Sequence, residues 1–574
     1  MKGRWLPFLA LVAVVAAAAY LRVTHLGANE LWGDELFHYF AAHSINEGRG
    51  PLLPSGEVYD RGTDITRLVA IALRHVPSIE VASRLPTALF GVLNVVLFAA
   101  LAWRVAGPWT AVAAAVLIGI YPEAVFQSRN ARFYTYQLNF GLVALYGGWE
   151  MVRLAGVRRP LSIAEQRRTW AWMVVAAAAL AVAARVQVTT LSIVAGLGVA
   201  VALAAGADLW ARGRQAWQDS APLYVTVAGI VAAAAAWLFA RAWVSGLIAS
   251  SQFTPLWRRR LAPGGESPLA YYWALSGAFP VVTSLAALIF LVVAVRNWRL
   301  AAYLLAWFAV PFVLHSVAMP WKQERFILLA VPALLLAAAV TAVAALGRAY
   351  EVAVDAFGSW GAGPRTRRLT AAAAVGAAAL FAVVTTPAFS AARRMPFGAY
   401  RQATSHDFQE VARVIREVPG GDSIPLGSAS PLRSMLYWPR LDFVVRRTYL
   451  ERPDRESNGT NTYPKLHPEG APDYYTGVPV IPSPAAIRER FAAQGGVIVL
   501  PDMTHDPGGP QLLDTLEREG VELCRGRCGK VKVYYWKFSD PTPVGSEGSP
   551  APATPNAVPR PAIAPRHALT VARP

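Results

Sequence analysis

The sequence predicts an α-helical, polytopic membrane protein that ends in a C-terminal extracytoplasmic α/β domain. Three observations lead to this fold class. The 574 residues are 55% hydrophobic and only 16% charged, the mean hydropathy is +0.35, and long apolar stretches recur along the chain up to residue 386. Soluble domains carry about a quarter of their residues as charged side chains. Residues 1–386 are therefore expected to lie in a membrane, with a water-soluble domain only after them.

The chain is strongly basic, with a formal net charge of +18 and an isoelectric point near 10.1. In a soluble protein such an excess would suggest a nucleic acid partner. Here the basic residues lie mainly in short loops between apolar stretches, and the chain has no zinc-finger spacing and no dinucleotide or P-loop glycine motif. The charge therefore indicates orientation in a membrane and contact with membrane lipid, and it disfavours nucleic acid.

About eleven stretches are apolar enough to be membrane spans, given a hydrocarbon core of about 30 Å. A cleavable signal peptide is the competing interpretation of the first, because residues 16–19 form an alanine run, but that stretch is long and further spans follow it. The predicted spans are 5–23, 81–103, 109–121, 136–151, 170–184, 188–205, 223–244, 270–295, 301–317, 326–346 and 369–384.

The loops between alternate spans share an excess of arginine. Lys2 and Arg4 precede the first span, and Arg104 follows the second. By the positive-inside rule this face is cytoplasmic. The N-terminus is then cytoplasmic, residues 24–80 contain the first outer loop, and an odd number of spans leaves the C-terminus outside. We expect a multi-pass protein of a bacterial plasma membrane, serving the cell envelope.

Residues 387–540 are expected to form the extracytoplasmic domain, because their apolar runs shorten. Strand-like runs occur at 423–428, 496–500 and 531–538, and helical patterns lie between them, at 408–418, 431–438, 486–493 and 512–519. This alternation favours helices packed on a small sheet. Residues 541–574 are rich in proline and alanine and are expected to be a disordered tail.

Cys524 and Cys528 are the two cysteines of the chain, and both lie in the predicted outer domain. An oxidising compartment permits a disulfide between them. Metal binding is the alternative for this spacing, but no partner ligands stand nearby in the sequence, so the disulfide is favoured.

The stretch 31–39 is the most informative one for function, because it places the adjacent acids Asp34 and Glu35, followed by Tyr39, just beyond the first span. Charges at the edge of a membrane are expensive and usually have a purpose. In the competing interpretation Asp34 caps a short helix that runs towards Ile45 and ends at Gly48. Both interpretations can hold, since a cap also fixes the carboxylate in space.

Several cationic side chains occupy outer loops, where the positive-inside rule disfavours them. Arg129 with Arg132, and Lys322 with Arg325, each adjoin the end of a span, at the depth of a lipid phosphate. The competing interpretation is a side chain that reaches for lipid headgroups, and it best explains the arginine run 258–260. For the two pairs we favour a functional role.

An acid opposed to fixed cations is suited to displacing a phosphate leaving group from a sugar. The carboxylate takes a proton from an acceptor hydroxyl, and Arg or Lys stabilises the charge on the departing phosphate. The expected donor is a polyprenyl-phosphate sugar, and a single displacement inverts the anomeric centre. We expect no cofactor and no metal; a divalent cation is not excluded, but the sequence shows no clear D-x-D ligand set.

The order of these motifs resembles that of the C-type (GT-C) membrane glycosyltransferases. The relevant segments are WGDE at 32–35, SRNAR at 128–132 and KQERF at 322–326. Within the family, the chain is most similar to the dolichyl-phosphate-mannose protein mannosyltransferases and the bacterial aminoarabinose transferases. The resemblance covers roughly the first 350 residues and implies a GT-C-like helical fold.

The resemblance also implies roles for individual residues. It gives Asp34 the role of catalytic base or acceptor-binding residue, with Glu35 as its neighbour, and it places Arg129, Lys322 and Arg325 where contacts to the donor phosphate are expected.

One segment departs from the family pattern. Many members have a His-Pro-Pro segment later in the first outer loop, where this chain has EVYDRG at 57–62. The sugar and the acceptor, which is a protein, a lipid or a glycan, therefore stay undefined. After Asp34, the second candidate for the catalytic carboxylate is either Asp60, which is next to Arg61, or Asp64. Arg185 and Gln187 lie at the outer end of the fifth span. They either face the same cavity or have polar partners between the helices.

Three other functions share parts of this pattern. A transporter or flippase of lipid-linked sugars would have as many spans, but would be expected to show midplane charges and an internal repeat. A membrane-anchored binding protein would work through residues after 387. A polymerase or ligase that uses a diphosphate-linked glycan is the alternative within the enzymes.

Overall fold

The structure, a computed structural model, describes residues 5–155, 162–213 except 188, 269–318, 324–358 and 363–395 and, with short gaps, 407–445 and 473–536. The chain divides into two units, and in the described residues the first ends at Met395 and the second begins at Asp407. The predicted span 223–244, the arginine run 258–260 and the predicted tail 541–574 lie outside the described residues.

The first unit is entirely helical in its described part, apart from one short bridge between Leu52 and Val58. Its helices are α1 Trp5–Val23, α2 Gly33–Asn46, α3 Thr63–His75, α4 Ile79–Ala106, α5 Pro108–Ile120, α6 Pro122–Ser128, α7 Tyr134–Ala155, α8 Ile163–Val186, α9 Thr190–Arg212, α10 Ala270–Ala278, α11 Pro280–Ser284, α12 Ala286–Ala318, α13 Val331–Gly358, α14 Pro364–Val384 and α15 Pro387–Arg394, with a 3₁₀ turn at Glu324–Phe326 before α13.

Six helices in the described part are long and apolar enough to cross a membrane: α1, α4, α8, α12, α13 and α14. The pair α5 and α6, bent by 66°, forms a seventh candidate span. The bend has a local cause, because Pro122 cannot donate the hydrogen bond that would continue α5. The predicted number of about eleven spans stays a prediction, since part of the chain lies outside the described residues.

One predicted pair of spans differs in detail. The sequence predicts spans at 270–295 and 301–317, whereas the structure has the short helices α10 and α11 before α12. Helix α12 is broken at Asn297, whose φ of −155° and ψ of 89° are not helical. The Asn297 side chain accepts a hydrogen bond from the Leu300 N–H at 3.1 Å and so caps the second half of α12.

Small side chains allow the helices of the first unit to pack closely. Helix α4 packs against α1, α5 and α7, and α13 packs against α5, α12 and α14. The first turns of α13, from Val331 to Ala339, are almost completely buried and consist largely of alanine and leucine. Between apolar helices in a membrane such residues permit close van der Waals contact. Helix α15 belongs to this unit because Ala388 and Ala392 are buried in the same core.

The loop that joins α1 to α4 folds into two helices, α2 and α3, which pack on each other and on α4. Gly62 precedes α3 with a left-handed φ of +61°, and a Cβ there would meet the Phe133 ring at 2.8 Å. Glycine is therefore required at this position. The contact fixes the start of α3 against the segment that leads into α7.

The second unit is a small α/β fold around a five-stranded sheet of order β2-β1-β3-β5-β4. Strand β1 is parallel to β2 and β3, and β5 is antiparallel to β3 and β4. In chain order the elements are α16 Phe408–Arg416, β1 Leu426–Ser428, α17 Pro431–Tyr437, β2 Phe443–Val444, α18 Pro484–Phe491, β3 Gly496–Leu500, β4 Val521–Glu522 and β5 Lys532–Trp536.

The predicted elements of this unit are present with small shifts at their ends, and β3 has the predicted bounds. The two-residue strands β2 and β4 were not predicted, because alternation cannot be read from two residues. Residues 512–515 of the predicted helix 512–519 lie outside the described residues, and residues 516–519 are helical. Cys524 and Cys528 are joined by a disulfide, and both are buried in the core beside Val533.

Candidate active site

Glu35 is a completely buried carboxylate whose hydrogen-bonding capacity is fully used. Its Oε1 accepts from Nε of Arg84 at 2.8 Å and from the Ala131 N–H at 2.7 Å. Its Oε2 accepts from Nη2 of Arg84 at 2.6 Å and from the Trp32 N–H at 3.1 Å. An ionised carboxylate offers about four lone-pair positions. Glu35 therefore has none left for a substrate.

Arg84, which the sequence analysis did not single out, is equally saturated. Besides its two bonds to Glu35, its guanidinium donates to three carbonyls of the segment between α1 and α2, those of Leu26 at 2.8 Å, Asn29 at 2.6 Å and Glu30 at 2.8 Å. A guanidinium has five N–H donors, and all five are used. The pair joins α2, α4 and the segment between α1 and α2 into one support.

The helix that was predicted to begin near Asp34 is present, but Asp34 does not cap it. Glu35 takes this role, because its carboxylate reaches back to the Trp32 N–H. Gly48 follows the helix with a φ of +78°, and its N–H donates to the Ile45 carbonyl at 3.0 Å. The predicted end of the helix is therefore confirmed, and the predicted cap is wrong. Asp34 is left free to point elsewhere.

Asp34 lies between two arginines that are distant in sequence. Its Oδ2 is 3.3 Å from Nη2 of Arg132 and 3.3 Å from Nη1 of Arg325. Nη1 of Arg132 also donates to the Asp34 main-chain carbonyl at 3.0 Å. The Asp34 side chain is 28% exposed, and among the described residues its Oδ1 contacts no donor. Within the described residues, Asp34 thus keeps one carboxylate oxygen available.

The two arginines also keep donors in reserve. Nε of Arg132 and Nε of Arg325 are both buried, and neither has a hydrogen-bond partner in the part of the chain that the structure describes. Both guanidinium groups lie over the ring of Tyr134, at 5.8 Å and 5.4 Å from its centroid. This cation–π platform holds two positive charges side by side.

The guanidinium group of Arg132 keeps its positive charge. Burial by itself lowers the pKa of its guanidinium, but the carboxylate of Asp34 and the hydroxyls of Tyr59 and Tyr134 raise it, and the net direction is upward. Arg132 is therefore a fixed cation at every working pH, which suits a residue that faces an anion.

A buried polar chain lies behind Asp34. The Thr66 hydroxyl donates to the Gly62 carbonyl at 3.3 Å and is 2.9 Å from Nδ1 of His38. Nδ1 of His38 must then be the donor, which leaves Nε2 to accept from the Tyr59 hydroxyl at 3.4 Å. Tyr59 also stacks on Phe37 with a centroid distance of 5.7 Å. The chain fixes the phenol oxygen of Tyr59 close to the charges of Asp34 and Arg132.

Both titratable members of this chain are held neutral. Burial, followed by the charge of Arg132, lowers the pKa of His38 well below its usual range. Burial raises the pKa of Tyr59 to about 12. The charge of Arg132 opposes this rise, that of Asp34 adds to it, and that of Arg61 opposes it. The region around Asp34 therefore contains neutral hydrogen-bonding groups as well as two fixed cations.

Arg129, predicted to contact a donor phosphate, is turned away from Asp34 in this structure. Its guanidinium donates to the carbonyls of Leu21 at 3.0 Å, Thr24 at 2.7 Å and His25 at 3.1 Å. Burial, and then the charge of Arg84, lower the pKa of Arg129 to about 10. Cations commonly satisfy the last carbonyls of a helix in this way. Arg129 fastens the end of α1.

The other predicted site residues lie in the first outer loop or outside the described residues. Lys322 lies outside the described residues. Tyr39 is buried and packs edge-on against Phe40, with a centroid distance of 5.2 Å. Asp60 and Arg61 are exposed; the Asp60 carbonyl accepts from the Thr63 hydroxyl at 3.3 Å. The charge of Arg61 acts on Tyr59.

Asp64 belongs to a second polar group. Its Oδ2 accepts from the Tyr136 hydroxyl at 3.4 Å, and the charge of Arg185 acts on the same tyrosine. Asp64 and Arg185 therefore both act on Tyr136; that Arg185 faces the same cavity as Asp34 stays a prediction. Gln187 ends α8, where its N–H donates to the Ala183 carbonyl at 3.0 Å. No group of three or more His, Cys, Asp or Glu side chains suited to a metal ion occurs in the described part of the chain.

Comparison with known proteins identifies the architecture. A scan against protein-family models and a search of curated protein sequences gave no match. The crystal structure of ArnT from Cupriavidus metallidurans in the apo state is similar over 92% of this chain and 97% of ArnT, with a TM-score of 0.53 and 14% sequence identity. The fold is that of the C-type glycosyltransferases.

Two further C-type structures agree. ArnT bound to undecaprenyl phosphate is similar over 92% of this chain and 97% of ArnT, with a TM-score of 0.50 and 15% identity. The oligosaccharyltransferase AglB from Archaeoglobus fulgidus, in complex with an inhibitory peptide and a dolichol-phosphate, covers 89% of this chain and 71% of its own, with a TM-score of 0.50 and 13% identity. Identities this low show a shared fold. The C-type resemblance and the polytopic helical fold class are thereby confirmed.

Proposed function

We propose that this protein transfers a sugar from a polyprenyl-phosphate donor to an acceptor hydroxyl, with inversion at the anomeric carbon. The observation that carries the proposal is the placement of Asp34. One oxygen of its carboxylate contacts Arg132 and Arg325. Among the described residues the other oxygen contacts no donor, and the buried Nε–H of each guanidinium group has no partner. The C-type fold, which ArnT and AglB share, supports this assignment.

In this proposal Asp34 is the general base. Its Oδ1 accepts the proton of the acceptor hydroxyl while the hydroxyl oxygen attacks the anomeric carbon. The bond between that carbon and the phosphate oxygen breaks, and its electron pair leaves with the lipid phosphate. Glu35 does not exchange protons with the substrate, because all of its lone pairs are occupied. It acts with Arg84 as a positioning residue for Asp34.

Arg132 and Arg325 stabilise the departing phosphate. Donor binding brings a phosphate that competes with Asp34 for these guanidinium groups, and their unpartnered Nε–H groups provide additional donors. Preorganised cations are most effective where charge develops in the transition state. The Tyr134 ring keeps both in place before the donor arrives. Because two guanidinium groups supply the positive charge, we expect activity to persist when divalent cations are chelated.

We further propose that the site opens on the extracytoplasmic side of a bacterial plasma membrane. Loop 24–80, which contains Asp34, lies outside if the basic ends of alternate helices lie inside. A lipid-linked donor fits this position, since the tail dissolves between helices while the head group reaches Asp34.

The decisive experiment measures release of polyprenyl phosphate by purified protein from a panel of polyprenyl-phosphate sugars, with a mixture of hydroxyl acceptors. Asp34→Asn should lower the rate by about 10²–10⁴-fold, the usual contribution of a general base. Glu57→Gln is the matched control, because Glu57 is an exposed acid of the same loop. Its rate should equal that of the wild type.

The same assay separates the alternative functions. A flippase would move intact donor across the bilayer of a vesicle without release of lipid phosphate. A polymerase or ligase would release polyprenyl diphosphate from a diphosphate-linked glycan and leave the monophosphate donors untouched. Full activity of Asp34→Asn with an accepted donor would remove Asp34 from its assigned role.

A further inference from the structure

A second group of charged side chains lies far from Asp34. Glu150 of α7 is completely buried, and three arginines contact its carboxylate. Nε of Arg104 is 2.7 Å from Oε1, Nη2 of Arg153 is 2.9 Å from Oε2, and Nη2 of Arg168 is 3.8 Å from Oε2. These four residues, called the Glu150 cluster below, join the ends of α4, α7 and α8.

The cluster and the candidate active site lie at opposite faces of the membrane. Helix α4 contains Arg84 near its start and Arg104 near its end. At a rise of about 1.5 Å per residue these side chains are about 30 Å apart, which is the thickness of a hydrocarbon core. Helix α7 gives a similar separation, about 24 Å between Tyr134 and Glu150.

Exposed tryptophans lie at the same level as the cluster. Trp103 precedes Arg104, Trp109 is the second residue of α5, and Trp170 lies two residues after Arg168; their exposed fractions are 41%, 48% and 47%. Tryptophan is enriched at the boundary between hydrocarbon and headgroups. The arginines therefore lie at the depth of phospholipid phosphates.

The cluster has more positive charge and more donors than Glu150 can satisfy. Three guanidinium groups present about fifteen N–H donors to a carboxylate with about four lone-pair positions. Glu150 is the one carboxylate that these three arginines contact in the described residues. Their side chains are 34%, 33% and 53% exposed, so an anion can reach them. Nε of Arg153 is buried without a partner among the described residues.

We infer that the Glu150 cluster binds the phosphate group of an anionic ligand at the membrane face opposite the candidate active site. Basic pockets between membrane helices are suited to anionic headgroups. The tryptophans favour an anionic phospholipid as the source of the phosphate. Glu150 holds the three guanidinium groups together, and two of their positive charges remain for the ligand.

The test uses the full-length protein in nanodiscs of phosphatidylcholine, either alone, with phosphatidylglycerol added, or with inorganic phosphate in the buffer. Phosphatidylglycerol should raise the unfolding temperature of the wild type by at least ~2 °C, because it binds the folded state. The double variant R104Q/R168Q should lose this rise, since Arg153 then balances Glu150. The matched control is R348Q/R365Q, which removes two exposed arginines elsewhere and should retain it.

A rise with inorganic phosphate alone, lost in R104Q/R168Q, would support the site and identify a soluble phosphate as its ligand. An equal rise in wild type and R104Q/R168Q, or no response to either probe, would overturn the inference. Glu150→Gln gives an independent answer if the double variant fails to fold. It leaves three uncompensated guanidinium groups and should enlarge the rise, and an unchanged or smaller rise would count against the cluster.

Discussion

Asp34 and Glu35 are adjacent in the first turn of α2, carry the same charge and pair with arginine, yet their surroundings differ. Glu35 is completely buried and accepts four hydrogen bonds. Asp34 is part-exposed, and in the described residues only one of its oxygens has partners. The difference separates a carboxylate that builds the fold from one that is available for chemistry.

The arginines repeat this contrast. All five donors of Arg84 are used within the protein, on Glu35 and on three carbonyls. Arg132 and Arg325 each retain a buried N–H that has no partner among the described residues. Unsatisfied buried donors are costly, and a ligand that accepts from them is one way to satisfy them. Full use of the hydrogen-bonding positions, more than charge or burial, distinguishes the supporting pair Glu35 and Arg84 from the site residues.

The largest expected effect tests the support. Glu35→Gln leaves the buried Arg84 charge without a counter-charge and places amide hydrogens against existing donors. Breaking a buried ion pair by removing one partner costs about 3–5 kcal/mol of unfolding free energy. Asp34→Asn, at a part-exposed position, should cost on the order of 1 kcal/mol. Unfolding of both variants in detergent by denaturant measures the difference.

Equal losses of unfolding free energy in Glu35→Gln and Asp34→Asn would contradict the distinction between the supporting pair and the site. Arg84→Gln is the second check on the same pair, because it leaves Glu35 charged and buried and should be as damaging as Glu35→Gln. The conservative variant Arg84→Lys cannot reproduce five donors in a planar fork and should restore only part of the stability.

The next effect concerns the arginines. Arg325→Gln should lower the turnover number for lipid phosphate release by about 10²-fold, because a charge that stabilises the leaving group is lost. Arg325→Lys keeps the charge without the geometry and should retain more activity than Arg325→Gln. Steady-state kinetics with an accepted donor separate turnover from the Michaelis constant.

Arg129→Gln is the comparison variant, because Arg129 lies in the same outer loop as Arg132 but holds the last carbonyls of α1. It should lower the unfolding free energy and leave the turnover number of the folded fraction intact. If Arg129→Gln instead abolished turnover at unchanged stability, the sequence-based assignment of Arg129 to the phosphate would be the better one.

The sequence predicted the architecture well because apolar length determines a membrane span. It also singled out Arg132 and Arg325, because cations in outer loops violate the positive-inside rule. It singled out Asp34 because an acid at the edge of a membrane is expensive. It did not separate Arg129 from Arg132. These two lie three residues apart, and which guanidinium faces the end of α1 depends on packing that no local pattern contains.

Arg84, His38 and Tyr59 were missed as site components for related reasons. Arg84 lies within a stretch that was read only as a span, although an arginine near the start of an apolar helix is itself a signal of pairing. His38 and Tyr59 are on separate segments of one loop, and only the fold of α2 on α3 joins them through Thr66. Sequence reasoning identified candidates by charge, whereas saturation depends on tertiary contacts.

The smallest expected effect is a dependence of stability on pH. It tests His38, which belongs to the buried polar chain behind Asp34. Burial and the charge of Arg132 lower the pKa of His38 well below 6.5, so in the window below 6.5 the unfolded chain binds a proton that the folded chain does not. Stability should therefore be full above pH 6.5 and fall on acidification, by at most about 1.4 kcal/mol per pH unit. Denaturant unfolding from about pH 5 to about pH 7.5 measures the slope.

His38→Asn should flatten that slope, because an amide can donate to Thr66 without titrating. His75→Asn, at an exposed histidine that ends α3, is the matched control and should keep it. An unchanged slope in His38→Asn would mean that other groups titrate with folding. A flattened slope would show that the buried polar chain behind Asp34 makes stability depend on pH.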